Sequence, residues 1–515
     1  MEKPQSQSQP TCYDISDIVN SIEPLNLANW LNIQTNAGRS EFSKRLSSWE
    51  TDLTKLQSRS AQIARLQHNV PPTTRNTFAI IANLEKDLDR IIDTTGSDLE
   101  SASYAELLFT SPHLSPLNFI PFFLTAFSFI RIWLLPLSAL LMPLFLIIAP
   151  YFILHYIFHV PIPIDRYGEL LIHIILGQPL ASIQSSSLSL ISLIKENLFQ
   201  FLIKIASLGM TVIQSVIQPY WSFQHLCAVD CALKKDENIL NIFVDKYTEL
   251  QSILKLPRLT IPINLKGRQL LAWARLNPLS IRQALQNIGR IECQIAVATH
   301  SNIVPVIWIN NEHPRICLQN CIDYNLVPSL TVPFSYDSAT QSHALLTGPN
   351  RGGKSTVLRG IGASLILAHT YGAAIATYAA ITPFHRLHMC LKPDDLPGKA
   401  SRFEREVQFA AKTLAQPTLK PVAVLVDELF HSTNPPDAAA SSDYYLNKLW
   451  LNSSILSIIS THIFTVIDKA PKNIRRICCP ATYDSKNKIK FHYQLCEGVC
   501  KVSSVQELLR QNGLY

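Results

Sequence analysis

The sequence predicts an α/β domain at its C-terminal end, preceded by an all-α region and a transmembrane helical segment. Three observations carry that expectation. From about residue 305, strand-like apolar runs alternate with helical stretches. Residues 222–300 read as amphipathic helices. Between Glu106 and Arg131, and again between Arg131 and Asp165, no charged residue occurs. The second gap exceeds the roughly 20 apolar residues that a helix needs to cross a bilayer.

The chain has 515 residues, enough for two to four domains. With 47% hydrophobic and 16% charged residues, composition excludes a disordered acidic or basic chain. A formal charge of +7 permits a nucleic-acid or membrane-surface partner without demanding one. Eleven cysteines in such a length form no disulfide framework. The Cys-x3-Cys pairs at Cys227/Cys231, Cys317/Cys321 and Cys496/Cys500 lack the Cys/His neighbourhood of a zinc site. They read as reduced thiols, as suits a cytosol-facing protein. The start, "MEKPQSQSQPTCYD", is polar and has no apolar core, so no cleavable signal peptide is expected there.

Residues 1–110 form the first expected region, a helical arm with a disordered start. In "FSKRLSSWETDLTKLQSRSAQIARLQ", Leu46, Trp49, Leu53, Leu56, Ile63 and Leu66 fall near one face, as in a bundle arm or a solvated amphipathic helix. Residues 111–165 are the transmembrane segment. A hairpin with its turn near Arg131–Pro136 is expected, the alternative being one span with a flanking interfacial helix. Prolines 116, 121, 136, 143 and 150 would kink a soluble helix, and membranes tolerate them better. Residues 166–310 follow as a helical region. In it "SIQSSSLSLISLI" suits an interfacial or packed helix, and "IPINLKGRQLLAW" is loop-like. Residues 311–515 are the α/β domain.

The chemistry lies in that last region. Gly348-Pro349-Asn350-Arg351-Gly352-Gly353-Lys354-Ser355 fits G-x-x-x-x-G-K-[ST], between a strand at 343–347 and a helix. Only 16 glycines occur in the chain and six of them fall between 348 and 372, which makes a chance match remote. Glycines let backbone N–H groups wrap phosphates, and the helix N-terminus adds positive potential. Lys354 is placed for the β/γ-phosphates and Ser355 for Mg²⁺. "PVAVLVDELFH" then runs an apolar strand into Asp427, suited to the Mg²⁺ position, and Glu428, suited to orient or deprotonate water. "SILSIISTH" is a strand ending in His462, where a γ-phosphate sensor or a structural histidine would sit.

These residues together resemble the MutS-type ATPases, the mismatch-repair branch of the ABC-like P-loop proteins. "TGPNRGGKSTVLR", through Thr356, is similar to that family's TGPNxGGKST-x-LR. "DELFHSTNPPDA" resembles DE-x-G-R-G-T-S-T-x-D-G in Asp427, Glu428, Thr433 and Asp437, but Phe430, His431 and Ala438 replace Gly, Arg and Gly. "STHIF" is similar to ATH-Y/F-F, and "SRFEREV" to S-x-F-x-x-E in Ser401, Phe403 and Glu406, without the preceding glycine. "EHPRI" with "VPF" echoes the domain's opening and "YQLCEGVC" its close. The elements fall in family order over 311–510.

The resemblance implies an ATP hydrolase using ATP and Mg²⁺, working as a homodimer whose ATPase domains complete each other's sites. Ser401 would reach the γ-phosphate in trans. Asp437 would communicate between sites, and Tyr493 would lie beside the adenine. Residues 222–310 resemble the family's lever region. No Phe-x-Glu mismatch-reading domain is recognisable in residues 1–110, and the C-terminal helical dimerisation element is expected to be absent or minimal. The expectation is a membrane-anchored ATPase facing the cytosol. Its setting is DNA mismatch repair or another DNA transaction, or alternatively membrane or protein remodelling without DNA. DNA is a candidate partner that these residues neither require nor exclude.

Overall fold

The computed structural model describes residues 15–93, 104–175, 213–254, 265–391, 401–415 and 420–502, apart from a few positions within them, and some isolated positions elsewhere. The polar start and the segment "SIQSSSLSLISLI" lie outside the described residues. The chain divides into two compact units. The first takes its residues from 1–83, 249–257 and 283–515, the second from 84–248 and 258–282.

The first unit is built on a six-stranded sheet. Its order is Cys496–Glu497, Arg475–Cys478, His343–Thr347, Ile455–Ser460, Val422–Val426 and Arg386–Cys390. All neighbours are parallel except the outermost pair, Arg475–Cys478 with Cys496–Glu497. The strands 343–347, 422–426 and 455–460 are buried at every residue, which is why they read as unbroken apolar runs. Crossover helices Lys354–Tyr371, Arg402–Leu414 and Pro435–Leu449 connect the strands.

The arm drawn from the sequence as part of a separate region 1–110 is divided here: residues 15–83 belong to this first unit. Leu46, Trp49, Leu56 and Ile63 are buried in one cluster with Leu365, Ala368 and Tyr371 of the helix Lys354–Tyr371. The apolar face read from the sequence is real, but it is split between two helices, Asn36–Leu46 and Leu53–Asn69. The reason is the carboxyl end of Lys354–Tyr371, whose last carbonyls need donors. Arg45 Nε donates to Thr370 O at 3.1 Å, Arg59 Nη1 to His369 O at 2.6 Å, and Ser60 Oγ to Gly372 O at 2.9 Å. The arginine charges also suit a helix C-terminus. Trp49 stacks on His369 at 3.9 Å and donates from Nε1 to Phe384 O at 3.1 Å. Gly372 ends the helix at φ +79, and a Cβ there would lie 2.4 Å from Ser60 N. Only glycine fits both demands.

Behind the arm, Asn36–Leu46 crosses Pro278–Thr299 almost backbone to backbone. A Cβ on Gly289 would lie 2.6 Å from the Ala37 carbonyl carbon. Beside the crossing, buried Glu292 accepts from Gln34 N at 2.6 Å and Thr35 N at 3.3 Å.

The second unit is helical. Helical backbone runs unbroken from Pro121 to Ile157, α-helical except for π turns at Ile130–Leu134 and Ile153–Ile157. The turn expected near Arg131–Pro136 is therefore not formed. Pro136 has no N–H, and its ring would press on the carbonyl of Ile132. The π turn widens the helix at that point instead of breaking it. Among the described residues, one helix, Pro121–Met142, is long and apolar enough to cross a membrane, with 11% of its most apolar stretch buried. The stretch read as loop-like is helical from Arg268 to Leu276. Arg268 holds Asp230 at 2.5 Å, Glu237 at 3.0 Å and Ser128 Oγ at 2.6 Å, tying the helix Gln218–Leu254 to the start of the apolar helix. Asp236 likewise accepts from Arg90 at 2.6 Å and Tyr104 Oη at 2.5 Å.

Trp49→Ala removes the stacked indole and should destabilise the first unit by about 3–5 kcal/mol. The expected result is a lowered thermal midpoint together with new protease cleavage within residues 15–69. Unchanged protease resistance would mean that the arm is held without Trp49.

Candidate functional site

The strand His343–Thr347 delivers the chain to a loop that only a special backbone can make. Gly348 has φ +148, Arg351 +67 and Gly353 +102. A Cβ on Gly348 would lie 2.8 Å from Cys479 O, so this position also needs glycine for space. Gly352 N donates to Pro349 O at 3.0 Å and closes the loop.

The helix that follows, Lys354–Tyr371, has no side-chain cap at its N-terminus. Four other helices of the unit are capped, by Thr35, Asp52, Ser401 and Asn434, while the short helices Ser16–Ser21, Pro24–Trp30 and Phe464–Lys469 are not. The uncapped end opens on a cavity of about 600 Å³, lined by Pro349 through Val357, Glu428, Tyr493 and an apolar wall of Leu326, Leu330, Val332 and Phe334. A helix N-terminus of this kind is a receptor for anions.

Strand order explains how the charged groups meet. The strand Ile455–Ser460 lies between the loop strand and Val422–Val426, so three strand ends converge at one edge of the cavity. Lys354 is buried. Its Nζ donates to Gly348 O at 3.1 Å and Pro349 O at 3.2 Å and lies 3.0 Å from His462 Nε2. Burial pushes the Lys354 pKa down, against the pull of Glu428 and Asp427. His462 Nε2 is also 3.0 Å from Glu428 Oε1. One ring nitrogen thus serves two charges. It accepts from the ammonium or donates to the carboxylate, according to the ring's tautomer. The hydrogen bond with His462 holds the Glu428 carboxyl below the usual carboxylate range, with burial opposing and the charges of His462, His431 and Lys354 adding. Glu428 is therefore ionised at neutral pH.

Ser355 Oγ donates to Asp427 Oδ2 at 2.5 Å. These two oxygen groups, a hydroxyl and a carboxylate already in contact, are the hard ligands that Mg²⁺ takes. Glu428 has φ +54 and Phe430 φ +53, a backbone region that costs non-glycine residues about 1–2 kcal/mol. The family pattern puts glycine at position 430. Here the Phe430 ring is buried 6.0 Å from Phe403 and 6.2 Å from Tyr445, which offsets that strain.

The structure brings together Gly348 through Thr356, Asp427, Glu428 and His462. Tyr493, exposed and at φ +55, stands over the loop, its ring 3.7 Å from where a Cβ on Gly353 would be. Ser401 and Asp437 do not line the cavity. Ser401 is an exposed helix cap. Its Oγ accepts from Glu404 N at 3.2 Å, while Glu404 Oε2 accepts from Ser401 N at 3.0 Å. Asp437, also exposed, donates its N–H to Asn434 Oδ1 at 3.0 Å in the first turn of its helix.

Sequence reasoning missed two features. One is the apolar wall at 326–334. The other is Ser460, whose Oγ donates to Asp427 Oδ1 at 2.5 Å and accepts from Glu428 N at 3.0 Å. The register pairs Ile459 with Val426, which sets Ser460 opposite Asp427. The available signal was a serine where the pattern ATH has alanine.

Comparison with known proteins covers the region that holds this site. Residues 344–510 match the model of MutS domain V. Over 178 residues, 34% of this chain and 16% of the relative, the sequence is 31% identical to the DNA mismatch repair protein MSH1, mitochondrial, of Arabidopsis thaliana. Over 206 residues, 38% of this chain and 15% of the relative, it is 29% identical to the DNA mismatch repair protein Msh6 of Gallus gallus. The chain thus spans about a sixth of the length of these curated relatives.

Ser460→Ala would leave Glu428 N–H without its acceptor and Asp427 without one donor. An unmade buried hydrogen bond costs about 1–3 kcal/mol. The expected outcome is a roughly tenfold fall in nucleotide turnover and a raised Mg²⁺ half-saturation, with metal-free nucleotide binding unchanged. A variant equal to the parent in turnover and Mg²⁺ dependence would remove Ser460 from the site's machinery.

Proposed function

We propose, from the match of residues 344–510 to MutS domain V, that the chain is a membrane-anchored MutS-type ATPase that hydrolyses ATP as a dimer in a DNA transaction. MutS-family domains of this kind are ATPases that use ATP and Mg²⁺. The observation that carries the reading is the uncapped helix end at Lys354, facing a cavity that also holds Glu428, with His462 in contact with both Lys354 and Glu428.

The phosphates would take the N–H groups of Gly348 and of Asn350 through Thr356 and the Lys354 ammonium, which would exchange the loop carbonyls for phosphate oxygens. Ser355 and Asp427 would hold Mg²⁺, which would neutralise phosphate charge. The adenine would lie between Tyr493 and the apolar wall at Leu330 and Val332. Glu428, ionised and fixed by Ser460 and His462, would orient the attacking water and accept its proton. His462, once it yields to Glu428 or Lys354, would report on the γ-phosphate. Ser401 and Asp437, outside the cavity of their own chain, would serve the site of a second copy. The hydroxyl of a capping serine and the N-terminus of its helix would close the open side and exclude water.

The apolar helix supports the anchor, with the ATPase domain facing the cytosol. The relatives carry mismatch repair in their names and are matched over about a sixth of their length, so the DNA setting comes to this chain as part of the proposal. The exposed apolar helix Pro121–Met142 favours a second reading, an ATPase that remodels the membrane itself. Turnover of the reconstituted chain separates the two. Stimulation by duplex DNA supports the first, and stimulation by added vesicles without any response to DNA supports the second.

A mixing experiment tests the shared site. Ser401→Ala with Lys354 intact is combined with Lys354→Ala with Ser401 intact. Mixed dimers should hold one complete site and recover activity that neither parent shows. Activity per chain independent of concentration, with no recovery on mixing, would leave Ser401 as a helix cap alone.

A further inference from the structure

Two groups of aromatic side chains bracket the charge-free part of the apolar helix. At one end is Trp133, exposed, with Phe223 meeting its ring edge-on at 5.0 Å. Tyr220 and Trp221 are exposed on the same limb as Phe223. Charged and polar groups gather just outside this level. Arg131 lies over Phe127, Gln224 donates to Tyr220 Oη at 2.6 Å, and His225 meets Glu106 at 3.2 Å.

At the other end Tyr151 stacks on His155 at 5.7 Å and meets Tyr167 at 5.1 Å, while Phe152 stacks on Tyr156 at 5.6 Å. Asp165 and Arg166 follow. Trp133 and Tyr151 are 18 positions apart in one helix. At about 1.5 Å per residue they stand roughly 27 Å apart. The hydrocarbon core of a bilayer is about 30 Å thick.

Between the two levels the surface suits no aqueous partner. Leu137, Leu141, Met142, Leu144 and Phe145 are exposed, and the one polar side chain of residues 134–150, Ser138, donates to Leu135 O at 2.8 Å. Its hydrogen-bonding capacity is met within the helix, as a lipid environment requires. A second limb, Ile213–Phe223, runs against the first. Trp133, Pro136 and Leu140 face Val216, Pro219 and Phe223 across an apolar crevice of about 370 Å³. Away from the crevice the limb exposes Ile213 and Ile217, with Gln214 and Gln218 beside them.

We infer that a lipid bilayer occupies this surface at a defined depth. Its acyl region surrounds residues 134–150 and the facing limb up to Pro219. One headgroup level lies at Trp133, Tyr220 and Trp221, and the other at Tyr151, Tyr156 and Tyr167. Amphipathic aromatic rings favour these two levels. The assignment rests on the membrane anchor proposed above and moves its span from Pro121–Met142 to residues 134–150, leaving the exposed Phe122, Phe123 and Phe129 on the first side. It keeps Arg131 on the same side as Lys234, Lys235 and Arg268, where its short reach to water is free, and moves the far side of the membrane to the residues after Ile157. Lysines and arginines collected on the first side match the cytosolic bias of such charges.

Single cysteines at Leu114, Trp133, Leu141 and His159 of the full chain test the depth. The chain is reconstituted in sealed phosphatidylcholine–phosphatidylglycerol vesicles. A membrane-impermeant maleimide is added before and after lysis, with labelled positions read by peptide mass spectrometry. In vesicles that label Leu114→Cys before lysis, Trp133→Cys should label before lysis as well, His159→Cys only after it, and Leu141→Cys not at all while lipid remains. His159→Cys labelling before lysis, or Trp133→Cys only after it, overturns the depth assignment. If the chain nevertheless stays with the vesicles through an alkaline wash, the anchor itself stands. Release by that wash, as free chain or as a soluble oligomer covering its own apolar helices, overturns the anchor and the assignment with it.

Discussion

The carboxyl end of the helix Lys354–Tyr371 is closed by side chains from about 310 residues upstream. Arg45, Arg59 and Ser60 satisfy carbonyls that the helix cannot satisfy itself, and Trp49 covers His369 beside them. The opposite end of the same helix is left uncapped at the phosphate loop. One helix is thus fully satisfied at the end that faces protein and left needing an anion at the end that faces the cavity. The rigidity of the first end makes the second useful. A loop with three positive-φ residues holds its shape only if the helix after it does not move.

His369 shows how tightly that first end is built. It is wholly buried, its Nδ1 lies 2.6 Å from Glu50 O, and its Nε2 accepts from Phe384 N at 3.2 Å. These partners fix a neutral ring with its proton on Nδ1. Burial pushes its pKa down to about 3, so the ring stays neutral in the fold while an unfolded histidine would take a proton below about 6.5. Folding stability from this residue is present above that unfolded value and is lost as pH falls toward 3. The arm and the nucleotide domain therefore share an acid-sensitive joint that lies away from the cavity.

What the sequence made legible follows a physical divide. The loop from Gly348 to Ser355, the acidic pair at Asp427 and the strand ending at His462 are local patterns, and residue type alone exposes their chemistry. The strands at 343–347, 422–426 and 455–460 were equally plain, because burial on both faces leaves nothing polar in them. Two things were not legible. Ser460 acts only because a parallel neighbour sets Asp427 beside it, and register is not written in either strand alone. The docking of Trp49 and Arg59 depends on a contact across most of the chain, and amphipathic spacing says that a face is covered without saying by what. The break expected near Pro136 failed for a third reason: a helix can absorb a proline by widening one turn.

The shared core also bears on how the molecule is made. Synthesis delivers the helices at 36–69 first and the helix they cap roughly 310 residues later. At about 5–20 residues per second, that is an interval of tens of seconds. Throughout it, Leu46, Trp49, Leu56 and Ile63 lack the part of their cluster that Leu365, Ala368 and Tyr371 supply, and the most apolar stretch of the chain is emerging in between. The nascent arm is thus a waiting segment, exposed to chaperones and to mispairing for as long as the ribosome takes to reach residue 371. The nucleotide domain, for its part, finishes folding by recruiting the oldest part of the chain.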